Sequence, residues 1–206
     1  MKKLLIGTAL ATLALATTAN AAIVISAGGG NLLTFNDNPV QTAGPDSGNS
    51  SWDPGPISWW TTGNSFVTNA SVSSQYLAPA GDSTNYLFAT AGSDAHVSWG
   101  RNIHSFDILW GSPDTYNTLT LSNGDSVTGS DVGLLFGFSA NGDNANTRWV
   151  HVTDTTAFNG FVATSTQAAF EFDGTAVPET STWAMMLTGF ACLGFAGYRS
   201  RKNAAA

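Results

Sequence analysis

The chain predicts an all-β protein, a single sandwich of jelly-roll type set between two short targeting segments. Three observations carry that prediction. Gly, Ser, Thr, Asn and Asp are abundant while Lys and Glu are nearly absent. Upstream of the last thirty residues no window holds an extended apolar period of 3.6 residues. Short stretches rich in aromatic and β-branched residues recur instead, with turn-forming residues between them.

The chain starts with Met1-Lys2-Lys3, an apolar stretch over residues 4–16 and the small-residue signature Ala19-Asn20-Ala21. This is the layout of a secretory signal, so residues 1–21 are expected to be removed and Ala22 to open the mature chain. The signal peptidase and the secretory translocon are therefore expected partners. Residues 22–176 form the expected β-sandwich ectodomain, a length suited to one core.

Within it the expected strands are Ser65-Phe66-Val67-Thr68, Asn85-Tyr86-Leu87-Phe88-Ala89, Ala95-His96-Val97-Ser98-Trp99, Ser105-Phe106-Asp107-Ile108-Leu109-Trp110, Thr118-Leu119-Thr120-Leu121, Arg148-Trp149-Val150-His151-Val152 and Ala168-Ala169-Phe170-Glu171-Phe172. Asn123-Gly124, with Leu119 and Leu121 before it and Val127 after it, accepts the positive φ of a tight hairpin turn. The region 39–63 reads differently. It is polar and turn-rich, and Pro54-Gly55-Pro56 predicts an irregular loop or a sheet edge, because proline cannot donate to a ladder. Trp59 and Trp60 are adjacent, so on a strand one faces the core and the other faces outward.

The charge is lopsided. Arg101 and Arg148 are the only cations of the body, against thirteen carboxylates, a net of about −11. That argues against nucleic acid and anionic membrane surfaces as partners. The single cysteine, Cys192, lies in the C-terminal apolar run, so the body has no disulfide.

The body holds no pattern of residues that specifies a reaction, and the expectation is a non-enzymatic protein without a cofactor. Gly81-Asp82-Ser83 and Gly124-Asp125-Ser126 lack the partners of a serine nucleophile, and such triplets are turn residues in a chain of this composition. A zinc site would need most of His96, His104 and His151 to converge from separate strands. Asn141, Asp143 and Asn146 alternate oxygen-bearing side chains with small residues and form a weak calcium candidate, to which Glu171 and Asp173 could contribute. The segment lacks the second carboxylate and terminal glutamate of an EF-hand. Indoles stack on pyranose rings when exposed and fill cores when buried. Trp99, Trp110 and Trp149 are expected in the core. Trp52, Trp59 and Trp60 stand between core and carbohydrate platform. Thr118-x-Thr120, Thr153-x-Thr155 and Thr164-x-Thr166 follow no fixed period, which disfavours an ice-binding ladder.

The C-terminal thirty residues give the address. Val177-Pro178-Glu179-Thr180 is followed by an uncharged apolar run over 183–198 and then by Arg199, Arg201 and Lys202. Sixteen residues at about 1.5 Å each make roughly 24 Å, short of the roughly 30 Å hydrocarbon core. Including Thr182, the expected transmembrane helix covers 182–198, nearly upright. Trp183 and Tyr198 flank it, and the basic stop over 199–202 stays inside. Ala184, Thr188, Cys192 and Ala196 put small side chains on one helix face, which either lets two helices approach or only weakens anchoring.

Val177, Pro178, Glu179, Ser181, residues 183–187, 189–191 and 193–198, and Arg199 resemble the PEP-CTERM sorting signal of Gram-negative bacteria that make extracellular polysaccharide. Thr180 departs from it, standing where a second proline is usual. The resemblance implies recognition by a membrane-embedded exosortase near Pro178-Glu179. It also implies a transient stay in the inner membrane, then display on the surface or release into a matrix with exopolysaccharide as a candidate ligand. Residues 76–82, 84–87, 109–119 and 169–173 look like the body of a family of exosortase-dependent surface proteins, a pattern that implies no activity.

Overall fold

The computed structural model describes residues 23–33, 35, 44–175, 188 and 190–192. Ten strands join in one antiparallel network, so the protein is all-β as expected. Its frame is two strands, β6 (Asp94–Trp110) and β9 (Arg148–Ser165), of 17 and 18 residues, about three times the usual strand length. Each serves two sets of neighbours. The registers of their pairing shift between Ser98 and Ser105, where Gly100 takes a left-handed φ of +62°. A bulge at such a point bends a strand without ending it.

One arm is built on the first half of β6 and the second half of β9. β3 (Gly55–Thr61) pairs with β6 over Ser58–Ser98 to Thr61–Ala95, and β2 (Ser47–Trp52) pairs with β3 as the outermost strand. On the other side β7 (Asn117–Leu121) pairs with β9, and β8 (Ser126–Thr128) follows it through the Asn123-Gly124 hairpin, with Gly124 at φ +101°. The second arm uses the other halves. There β10 (Phe170–Gly174) pairs with β6 and with β5 (Tyr86–Ala89), β4 (Val67–Thr68) pairs with β5, and β1 (Ile23–Ala27) pairs with β9.

Side chains from the two arms meet in one core. Phe161 of the first arm lies 5.4 Å from Phe172 of the second, and Trp52 lies 6.1 Å from Phe106, both edge to face. The pleat explains the selection: on β3, Ile57, Trp59 and Thr61 point inward while Ser58 and Trp60 point out.

Several elements differ from the sequence reading. Within the region 39–63, residues 47–61 form a regular hairpin, β2 and β3, with Pro54 in its turn and Pro56 inside β3, and β2 is the edge strand. The expected strands 95–99 and 105–110 are one bent strand, because Gly100-Arg101-Asn102 makes a bulge where a turn was expected. β9 continues to Ser165, and β1 was not anticipated. A short helix, α1 (Gly129–Phe136), also appears. Its sequence signal is a capping box, Thr128 to Asp131, ahead of Val132; Thr128 Oγ1 donates to Asp131 Oδ2 at 2.6 Å while the Asp131 amide donates back to Thr128 Oγ1 at 3.3 Å.

Candidate functional site

The sorting motif Val177, Pro178, Glu179 and Thr180, the stop residues Arg199, Arg201 and Lys202, and residues 1–21 lie outside the described residues. Of the expected membrane helix only Thr188 and Phe190 to Cys192 are described, as helix. Among the described residues no helix is long and apolar enough to cross a membrane.

The three tryptophans read as carbohydrate platforms separate. Trp52 is fully buried, edge to face with Phe35, Trp99, Phe106 and Phe161, and its indole donates to the Asp107 carbonyl at 3.0 Å. Trp59 is 1% exposed and packs on Phe35. Neither can meet a sugar, because the arms close over both. Trp60, across the pleat, is 41% exposed and stacks on His96 at 4.6 Å with the rings 6° from parallel. Trp99 and Trp110 fill the core, and Trp149 is half-buried.

The histidines are separately employed. Burial lowers the pKa of His96, against the pull of Asp94. His104 Nδ1 faces the Asp154 carbonyl at 3.0 Å, and His151 Nδ1 faces Asp107 Oδ1 at 3.2 Å. Among the described residues no three His, Cys, Asp or Glu side chains are grouped to hold a metal. In the calcium candidate, Asp143 Oδ1 accepts the Ala145 amide and Asn141 Oδ1 accepts the Asp143 amide, so these oxygens close the local turn. Asn146 Nδ2 donates to Asn141 Oδ1 at 3.4 Å, which turns its amide into the same turn. Asn141 does share a cleft of about 160 Å³ with Ser112, Asp114, Tyr116 and Glu171. Asp173 belongs to another group.

The densest polar chemistry lies at the end of the last strand, around Glu171 and Asp173, which the sequence offered only as contributors to a calcium site. On β10, Phe170 and Phe172 point into the main core and Glu171 and Asp173 point to the opposite face. That face is covered by the connector between β4 and β5, residues 69–85, which crosses it as a strap. Tyr76 of the strap stacks on Phe88 at 4.4 Å and meets Phe66 edge-on at 5.7 Å, forming a second small core with Tyr86 and Ala169. The strap is why β5 and β10 are buried on both faces.

Carboxylates pin the strap down. Glu171 Oε1 accepts the Leu77 amide at 2.9 Å and Glu171 Oε2 accepts the Ser112 hydroxyl at 2.7 Å. Burial pushes its pKa up to about 7, with the Asp114 charge adding to that and the two hydrogen bonds opposing it. Burial also raises Asp114, against a hydrogen bond from Tyr116. Further along, Thr84 Oγ1 lies 2.7 Å from Asp82 Oδ1 and 3.0 Å from Asp173 Oδ2. Asp173 is fully buried and its pKa lies well above the usual carboxylate range, through burial first and the Asp82 charge second. Asp82 is raised too, again chiefly by burial. Thr84 Oγ1, within hydrogen-bond distance of both, links the two carboxyl groups.

Beside these anchors the strap leaves a cavity of about 490 Å³. Phe66, Tyr76 and Phe88 form its apolar wall, and the amides of Asn64, Gln75 and Gln167 line its mouth. None of these three amides stood out in the sequence. They are isolated polar residues spread between positions 64 and 167, and no local spacing relates them.

Comparison with family models, with curated proteins and with solved structures finds no match.

Proposed function

We propose that this is an exported surface or matrix protein, with a non-enzymatic structural or adhesive role in exopolysaccharide. In this reading its body is a β-sandwich ectodomain of jelly-roll type. The protein enters the secretory route, rests in the inner membrane through residues 182–198, and is cut by an exosortase near Pro178-Glu179. The observation that carries the reading is the fit of the folded body between its two targeting segments. β1 begins at Ile23, directly after the expected cleavage at Ala21, and the last strand and its bridge residue Thr175 end two residues before Val177. No strand among the described residues crosses either processing point.

The test is cleavage in the producing cell. With an antibody to the body, surface material should contain a form shortened at the C-terminus, and changing Pro178 and Glu179 to alanine should leave the full-length chain in the inner membrane. Identical products from both proteins would sink the reading.

A second reading, a carbohydrate-binding module, is favoured by one observation: Trp60 holds an indole on the outer sheet face, steadied by His96. Here Trp60→Ala should weaken retention on the insoluble polysaccharide of the same organism while the fold is kept. Unchanged retention would remove this reading.

A further inference from the structure

Two polar features remain outside that function: the carboxylates that pin the strap, and the amide-rimmed cavity beside them. The cavity carries an inference. We propose that the space between the strap and β5 binds a short neutral stretch of glycan.

At about 490 Å³ the cavity falls in the range of small-molecule sites. Tyr76, half-buried, supplies the carbon-rich edge on which the C–H face of a sugar ring packs, with the buried Phe66 and Phe88 behind it. Asn64, Gln75 and Gln167 supply side chains that donate and accept together, the pattern that adjacent hydroxyl groups require. Their side-chain amides have no hydrogen-bond partner among the described residues, so a ligand would complete them without displacing a protein contact.

Charge decides between ligand classes. The body's two cations are occupied elsewhere: Arg101 donates to the Pro54 carbonyl, and Arg148 donates to the carbonyls of Ala145 and Thr147. Among the described residues a phosphate or an acidic sugar would find no cation here, and would sit beside Glu171 and Asp114, which line the adjoining cleft. A purely apolar ligand would strip water from three amides without replacing it. A neutral polyhydroxylated ligand meets neither penalty. Gln75 and Tyr76 line both spaces, so a chain longer than the cavity extends toward the carboxylates, which accept hydroxyl donors.

The site presupposes only that the body meets glycans outside the cell. The measurement below does not involve export or cleavage, so its failure is distinguishable from failure of the sorting proposal. The full-length chain, in a detergent without a sugar headgroup, is titrated calorimetrically with cellohexaose, laminarihexaose and maltohexaose. Hexagalacturonate and an uncharged Gly-Ser-Asn hexapeptide are titrated alongside. At least one neutral hexaose should bind, and Gln75→Ala with Gln167→Ala should weaken it about tenfold or more, the loss of roughly two net hydrogen bonds. Both side chains are exposed, so an unchanged melting temperature is expected and is checked. Gln167→Trp, which fills the mouth, should have the same effect, and Trp60→Ala should leave this binding within about twofold. No binding of any neutral hexaose overturns the proposal. So does a preference for hexagalacturonate or the peptide, and so does loss in Trp60→Ala with retention in the double variant, which would place the ligand on the outer face.

Discussion

Replacing Glu171 by glutamine tests whether the strap is held by a carboxyl group that prefers to be neutral. Its ordinary pKa is 4.5, and burial under the strap lifts it to about 7. Between those values the folded protein keeps a proton that the unfolded chain has released. Folding stability therefore falls as pH rises through this window, from near 4.5 until the group ionises in the folded state above 7. Each pH unit is worth about 1.4 kcal/mol, so the side chain removes up to about 3 kcal/mol of stability between pH 4.5 and pH 8. Asp173, Asp82 and Asp114 are raised in the same direction and steepen the wild-type slope. Glutamine keeps the shape. Its carbonyl accepts the Leu77 amide, and its NH2 donates to the Ser112 hydroxyl, which rotates to accept. Urea denaturation of both proteins at pH 5, 6, 7 and 8, followed by tryptophan fluorescence, reads the difference directly. The variant should gain on wild type as pH rises, by about 3 kcal/mol over the series, or roughly 9 °C in melting temperature for a body of this size. Parallel curves, with a constant offset at every pH, would be the contrary outcome. Glu171 would then be ionised and adequately solvated in the folded protein.

The two faces of the β2–β3 hairpin should respond oppositely: Trp52→Ala should cost about 3–5 kcal/mol in urea titrations, whereas Trp60→Ala should cost under about 1 kcal/mol. Equal losses would mean that the outer indole is structural. At the start of α1, Thr128→Ala removes the hydroxyl of the capping box and should cost about 1 kcal/mol in the same titration; no change would mean that Asp131 alone holds the helix end.

The fold class was legible because alternation is local. Leu119, Leu121 and Val127 around Asn123-Gly124 announced a hairpin, and adjacent Trp59 and Trp60 had to face opposite ways. Strand length was less legible. Gly100-Arg101-Asn102 has the composition of a turn, and only the pairing of β6 with β9 across that point makes it a bulge. The strap residues were even less legible. Nothing near Glu171 in sequence shows that Leu77 and Ser112 will arrive to hydrogen-bond it, and nothing near Gln75 shows that Gln167 stands across a cavity from it.

By itself, the chain's order of residues determined that it would be made of alternating strands around an aromatic core, strongly acidic, with an apolar segment and basic flank near each end. These follow from side-chain period and composition, which each residue carries with it. Tertiary structure alone decided which faces are covered. Trp52 sits inside because the two arms close over it. Glu171 and Asp173 are buried, and their pKa values raised, because a connector from elsewhere in the chain crosses β10. A strand's pleat assigns a side chain to a face, but whether water reaches that face depends on segments brought there by the rest of the fold.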